Sequence, residues 1–549
     1  MRTILSALIL AVVFAASAAA ATALERGVVS APESLAAGVG ADVLRRGGNA
    51  VDAAIAVQFA LAVTFPSAGN LGGGGFMLVH TGGGEEALDF RETAPAAATR
   101  DMFVDSLGAV IPGASLETDR AAGVPGSVAG MWLAHRRLGR LPWRDLVMPA
   151  VRLAEEGFLL PGRTAASFAS QTHAGFAEHF HGVAGERFRQ PELAATLRRI
   201  AARGRDGFYR GETARLIVEE MRRGRGLVTA RDLARYTPRI RRPIEGRYRE
   251  LRVVSMPPPS SGGALLIEML HMLEGWRLDT LGAPGAREHL VAEVESRAFA
   301  DRAAFLGDPD FVRVPTDSLV SQSWALRRCG DIEPARRTLP ADVDAGSIGH
   351  ESEQTTHFSV VDRDGNAVSC TTTLNDSYGS GQFVHGAGFL LNNEMDDFSA
   401  RPGALNLYGV TGGAANAIAP GKRMLSSMAP TFVFRDGRLW LVLGTPGGPT
   451  IFTTVLQVLL DRIDLGMSLE KAVAAPRLHH QWAPGVQGAD PLYVEGDRPP
   501  AAGVRDALAA LGYAITPRSP IGDVHAIEVD GRRAIGVSDP RGMGHVAVE

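Results

Sequence analysis

The chain has 549 residues, 45% hydrophobic and 21% charged, which fits an ordinary soluble globular protein with one large domain or two to four smaller ones. A net charge of −4 gives no electrostatic reason to expect a nucleic-acid partner, and no long basic run or basic–aromatic stripe supplies one. The two cysteines, Cys329 and Cys370, are too few for a disulfide framework, and neither has a histidine beside it to make it a nucleophile.

The first residues, "MRTILSALILAVVFAASAAAATALERG", read as a cleaved export signal over residues 1–23. Arg2 supplies the positive start, Ile4 to Phe14 the apolar stretch, and the alanines up to Ala23 the small-residue cleavage site. No later apolar stretch is long enough to span a bilayer, so no membrane partner is expected and the mature protein should be exported, periplasmic or secreted. Apolar residues at three- and four-residue spacing predict helix from Ala31 to about Val63, broken at Gly47-Gly48, with Asn49 and Asp52 as candidate caps. Next comes "PSAGNLGGGGFMLVH", where glycine precedes the strand from Phe76 to His80. Phosphate loops place glycine between a strand and a following helix, so this order argues against a nucleotide site. "EALDFRETAP" predicts another short strand, ending at Arg91.

From Ala121 to about Leu339 the pattern is mostly helical, with "PPPSSGG" as a rigid break before a helix from Ala264 to Glu274. His173, His179 and His181 fall in this region but complete no recognisable metal-ligand pattern. From Thr355 onward the texture changes to hairpins over Asp364-Gly365, Asp436-Gly437 and Asp530-Gly531, with helices between them such as Ile451 to Ile463. Helical layers plus antiparallel hairpins predict a layered α+β architecture. His357, His479 and His480 read as structural, since neighbouring His479 and His480 would point to opposite faces of an extended segment. No cofactor and no metal are expected.

The hairpin over Asp364-Gly365 places Thr355 opposite Thr373 or Leu374 and gathers hydroxyls and Asn375 at one strand end. "LLNNEMDDFS" adds paired carboxylates able to bind a cation or a substrate ammonium. "SSMAP" supplies Ser426-Ser427, and "GTPGG" exposes backbone N–H groups at Gly447-Gly448. A nucleophile candidate, an anion-stabilising loop and a zwitterion-binding set thus lie in one half of the chain.

In this order the segments "GGNAVDAAIA", "GGGGFMLVH", "LDFRETAP", "TTHFSVVDRDGNAVSCTTTLN", "NNEMDDF", "SSMAPT", "GTPGG" and "APRLHHQW" make the chain resemble the γ-glutamyltransferases (glutathione hydrolases) of the N-terminal-nucleophile hydrolase class. The resemblance spans essentially all of the mature chain. It implies a four-layer αββα sandwich formed jointly by two subunits of one precursor. The implied cut is between Gln354 and Thr355, leaving a large subunit over residues 24–354 and a small catalytic subunit over residues 355–549 as a heterodimer. It implies Thr355 as nucleophile, Thr373 orienting it, and Gly447 and Gly448 stabilising the oxyanion. Arg91, Ser426 and nearby Ser427 would hold the substrate α-carboxylate, and Asn375, Glu394 and Asp397 the α-ammonium. Asp396 is expected to be structural. The Gly- and Ala-rich stretch from Arg401 to Arg423 resembles the family's lid loop, with Tyr408 over the substrate. Glutathione and other γ-glutamyl compounds are the implied donors, with water, an amino acid or a dipeptide as acceptor. Two other readings stand beside this one: a cephalosporin (β-lactam) acylase on the same fold, and a degenerate exported binding protein that never cleaves.

Overall fold

The computed structural model of the chain describes residues 23–343, 355–400, 413–482 and 491–549. Two antiparallel sheets dominate it. The first has seven strands, in the order His545–Val548, Val28–Ala31, Thr355–Val361, Ala367–Thr373, Gly74–Thr81, Gly84–Asp89 and Arg239–Arg241. The second has six, in the order Arg533–Ser538, His525–Asp530, Arg438–Gly444, Thr431–Arg435, Leu251–Ser255 and Ile244–Tyr248. The sheets pack face to face, and helices cover both outer surfaces, giving four layers in the order α, β, β, α. Segments from both sides of Thr355 contribute to each sheet.

Period-two alternation explains the layering. On the strand Gly74–Thr81, Met77 and Val79 join the helical core on one side, while Phe76 and Leu78 face the second sheet. The helix Ala50–Thr64 is buried along its whole length under the first sheet, which is why it has no polar face. The helices Gly262–Leu273 and Thr450–Ile463 cover the second sheet, with Ala286–Phe305 packed against Gly262–Leu273.

All three Asp-Gly turns form the expected hairpins. The region from Ala121 to Leu339 departs from its helical reading in two places, the short pair Phe158–Leu159 and Arg187–Phe188, and the strands Arg239–Arg241, Ile244–Tyr248 and Leu251–Ser255. The strands Ile244–Tyr248 and Leu251–Ser255 form a hairpin closed at Arg249, whose φ of 54° lies in the left-handed region. A non-glycine residue there leaves no Asp-Gly signal in the sequence.

Gly47-Gly48 separate the helices Ser34–Arg45 and Ala50–Thr64, as the periodicity predicts. Asn49 caps the second helix in a reciprocal capping box with Asp52, and its Nδ2 also donates to the Leu138 carbonyl at 2.7 Å. Asn49→Ala is expected to destabilise the protein by about 0.5–2 kcal/mol. Thermal unfolding should show a lower Tm, with kcat per folded molecule unchanged.

Candidate active site

The turn after Val361 sets the geometry of everything at the far strand end. The Asp362 carboxylate accepts from the backbone N–H of Asp364 at 2.9 Å and of Asn366 at 3.0 Å, which closes the loop. Its other oxygen accepts from Ala50 N–H at 2.9 Å, tying the turn to a helix start. From this anchor the register runs Val361↔Ala367 to Thr355↔Thr373, so Thr355 lies directly opposite Thr373. Alternation puts Thr355, His357 and Ser359 on the face toward the second sheet.

The strand end is held by side chains from the first part of the chain. Asn70 Nδ2 donates to the Thr373 carbonyl at 2.9 Å, while its Oδ1 accepts from Gly73 N–H at 3.1 Å and Ser127 Oγ at 2.6 Å. A Cβ on Gly73 would come within 2.0 Å of the Thr373 carbonyl oxygen. Close backbone approach therefore explains this glycine. Thr373 Oγ1 accepts from Asn375 N–H at 2.8 Å, and Asn375, at a φ of 78°, donates from Nδ2 to the Asn393 carbonyl at 3.1 Å.

Arg91 is the charged centre, only 1% exposed. Its guanidinium donates to Glu394 Oε1 at 2.5 Å, to Asp397 Oδ2, and to the Leu425 carbonyl at 3.1 Å. Burial works against its charge, but Glu394, Asp397 and Glu92 outweigh that and raise its pKa. Burial likewise pushes the carboxyls of Glu394 and Asp397 above the usual range, against the pull of Arg91. Asn392 builds the turn that presents them: its Oδ1 accepts from Glu394 N–H at 3.0 Å and Gly123 N–H at 2.8 Å. Asp396 points elsewhere and accepts from Ser115 Oγ at 2.5 Å.

The serine pair is clamped by "PPPSSGG". Ser261 donates to the Ser426 carbonyl from both N–H and Oγ, each at 2.7 Å, and Ser426 N–H donates to the Pro259 carbonyl at 3.0 Å. Read from sequence as a break before a helix, this segment is thus also a brace for the site. Arg302 Nη2 donates to Ser427 Oγ at 3.3 Å. Gly447 and Gly448 have φ of 133° and 54°, and a Cβ on Gly447 would meet Thr450 Oγ1 at 2.3 Å. The helix Thr450–Ile463 starts at this loop, so its N-terminal dipole favours negative charge there.

One pocket is lined by Arg91, Thr355, Thr373, Asn375, Glu394, Asp397, Ser426, Ser427 and Gly448, together with Met428 and Ile451. The sequence-predicted residues therefore converge, with Gly447 next in the chain to the lining. Tyr408 and Gln354 lie outside the described residues. Met428, Ile451, Glu92 and Arg302 were missed by sequence reading. Glu92 had a signal, its place beside Arg91 in "RETAP", whereas Arg302 sits in a helix 211 positions further on with none. His357 bonds Thr371 Oγ1 at 2.9 Å, His479 bonds Thr453 Oγ1 at 3.0 Å and His480 bonds the Ala292 carbonyl at 2.9 Å, all fully buried, as structural histidines do. His179 stacks on Phe383 with ring centroids 3.6 Å apart.

The sequence model of the γ-glutamyltranspeptidases matches residues 36–549. The chain belongs to that family. It is 48% identical to a glutathione hydrolase proenzyme of Pseudomonas aeruginosa over 97% of this chain and 96% of that one. To the glutathione hydrolase proenzyme of Escherichia coli it is 44% identical, over 94% and 91%. Among solved structures, the cephalosporin acylase from Bacillus halodurans superposes with a TM-score of 0.81 at 27% identity, over 96% of both chains. The four-layer α+β architecture is therefore the N-terminal-nucleophile hydrolase sandwich that the sequence implied.

Glu92 gives the pocket a pH signature. It is fully buried, neither carboxyl oxygen has a hydrogen-bond partner, and burial pushes its pKa from 4.5 up to about 8. The folded chain thus keeps a proton that the unfolded chain sheds. Stability linked to that proton is complete below 4.5 and is lost as pH rises toward about 8. Tm measured from pH 5 to 8 should fall less steeply in Glu92→Gln than in wild type. Equal slopes would mean that Glu92 is already ionised in the folded chain.

Proposed function

We propose that the protein is a self-processing γ-glutamyltransferase and glutathione hydrolase. The reading rests above all on one observation: Thr355 shares a small pocket with Arg91, Glu394 and Asp397. A hydroxyl nucleophile beside charges of both signs suits an acyl donor that carries an α-amino acid at its far end. Glutathione is such a donor.

Processing comes first. The Thr355 hydroxyl attacks the Gln354 carbonyl, its backbone nitrogen leaves, and the resulting ester is cleaved by water. The cut separates a large subunit, residues 24–354, from a small one, residues 355–549, which stay together as a heterodimer. It also frees an α-amine with a pKa of about 8, able to take the proton of the hydroxyl beside it. Before the cut that nitrogen is an amide and is no base. Thr355 Oγ1 then attacks the substrate γ-carbonyl, and the oxyanion is stabilised by backbone N–H of Gly447 and Gly448. The amine leaves with a proton, and water, an amino acid or a dipeptide takes the acyl group. Thr373 orients the nucleophile. Arg91, Ser426 and Ser427 hold the α-carboxylate, Arg91 exchanging carboxylate partners for that of the substrate. Asn375, Glu394 and Asp397 hold the α-ammonium, and Tyr408 belongs to a lid over it. Residues 1–23 act as an export signal, which makes the enzyme periplasmic or secreted. Among the described residues no helix is long and apolar enough to cross a membrane.

Denaturing electrophoresis with N-terminal sequencing tests the processing step. Wild type should give two bands, the smaller beginning TTHFS, and Thr355→Ala one uncut, inactive band. A single wild-type band would sink the mechanism and favour a degenerate binding protein.

The likeness to a cephalosporin acylase supports a second reading on the same nucleophile. The two separate on the substrate ammonium. Glutaryl-p-nitroanilide has the same acyl chain as γ-glutamyl-p-nitroanilide but no ammonium, which leaves Glu394 and Asp397 unmatched. It should be turned over at least about a hundredfold more slowly, since a missing charge partner costs about 3 kcal/mol or more. A preference for the glutaryl compound would point to the acylase.

A further inference from the structure

The loop that carries Gly447 and Gly448 joins the strand Arg438–Gly444 to the helix Thr450–Ile463. A threonine stands at each end of it, Thr445 and Thr450, and both are fully buried. Thr445 Oγ1 donates to the Pro446 carbonyl at 2.8 Å. The same oxygen accepts from the backbone N–H of Asp523, 78 positions further on, at 2.8 Å. Thr450 Oγ1 donates to the Gly447 carbonyl at 2.8 Å, and Thr450 N–H donates to that carbonyl at 3.0 Å. A Cβ on Gly447 would come within 2.3 Å of Thr450 Oγ1, so this grip needs glycine there. Neither threonine lines the substrate pocket.

In a trans peptide unit the C=O and N–H lie in one plane and point in opposite directions. Holding the Pro446 carbonyl therefore fixes where Gly447 N–H points. Holding the Gly447 carbonyl fixes Gly448 N–H in the same way. Both glycines lack a side chain that would restrain these peptide planes, and both have positive φ. A donor aimed before the reaction stabilises developing negative charge without the cost of reorganising during it. We infer that Thr445 and Thr450 are positioning residues for the oxyanion hole, each aiming one glycine N–H by gripping the carbonyl of the same peptide unit. The inference rests on the γ-glutamyl reading above for the roles of Thr355, Gly447 and Gly448. It adds an anchor outside the loop, because the Asp523 N–H holds Thr445 Oγ1 in place.

The test uses valine, which has the shape of threonine without the hydroxyl, and serine, which keeps the hydroxyl. Thr445→Val, Thr450→Val, Thr445→Ser and Thr450→Ser are first checked for subunit cleavage and thermal unfolding. With γ-glutamyl-p-nitroanilide, each valine variant should lower kcat about tenfold or more and leave KM within about twofold, as for an interaction made only in the transition state. Each serine variant should recover most of the rate. Two competitive inhibitors then separate the transition state from the ground state. The boronic acid that replaces the γ-carboxyl of glutamate forms a tetrahedral adduct with an oxygen in the hole, and should bind the valine variants about tenfold more weakly. L-Norvaline has the same α-amino acid end but no such oxygen, and should bind them as it binds wild type. An unchanged kcat, or equal weakening of both inhibitors, would overturn the inference at that position and leave its threonine a role in stability alone. Where valine leaves the chain unfolded or uncut, cysteine, a weak donor of similar size, should show the same pattern and decides instead. Wild type inert toward γ-glutamyl-p-nitroanilide would overturn the γ-glutamyl reading, and this inference with it.

Discussion

The register between the strands Thr355–Val361 and Ala367–Thr373 is the constraint on which the site depends. A slip of one residue would turn every side chain of one strand to the opposite face. Thr355 would then point into the helical layer, and Phe358 and Val360, which pack there, would turn toward the second sheet. The register is secured at the turn, where the Asp362 carboxylate holds two backbone N–H groups of the loop. It is secured again at the open end, where Asn70 grips the Thr373 carbonyl. Two buried polar anchors thus fix a strand end that lies beside a pocket and lacks apolar packing of its own.

Charge arrangement is the second organising feature. Arg91, Glu92, Glu394 and Asp397 are packed where water is largely excluded, so their interactions are strong and their imbalance is costly. Arg91 satisfies Glu394 and Asp397 directly, Arg302 acts on Asp397 from behind, and burial leaves Glu92 holding a proton. A zwitterionic substrate end brings one charge of each sign into this set without changing its sum. That is a physical reason for such a pocket to prefer an α-amino acid terminus over a simple carboxylate.

Much of the architecture was legible because local signals agreed with the global fold. Gly47-Gly48 and Asn49 mark a helix break that the structure keeps, and three Asp-Gly turns mark three hairpins. The hairpin Ile244–Tyr248 and Leu251–Ser255 was not legible, because Arg249 occupies the left-handed turn position where glycine would have signalled it. "PPPSSGG" was half legible: its prolines announce a rigid segment, but nothing local says that Ser261 reaches Ser426.

The sequence by itself determined the layered α+β class, a hairpin that brings Thr355 opposite Thr373 or Leu374, and the motif order that marks the family; the structure chose Thr373. These follow from turn chemistry, period-two alternation and residues close together in the chain. Only the tertiary structure decided which distant side chains gather at the pocket, above all Arg302 against Ser427, and that Glu92 is buried beside Arg91 with no hydrogen bond to its carboxyl oxygens. Contacts between residues more than a hundred positions apart depend on how helices and sheets pack, and packing leaves no local trace in the residues that it brings together.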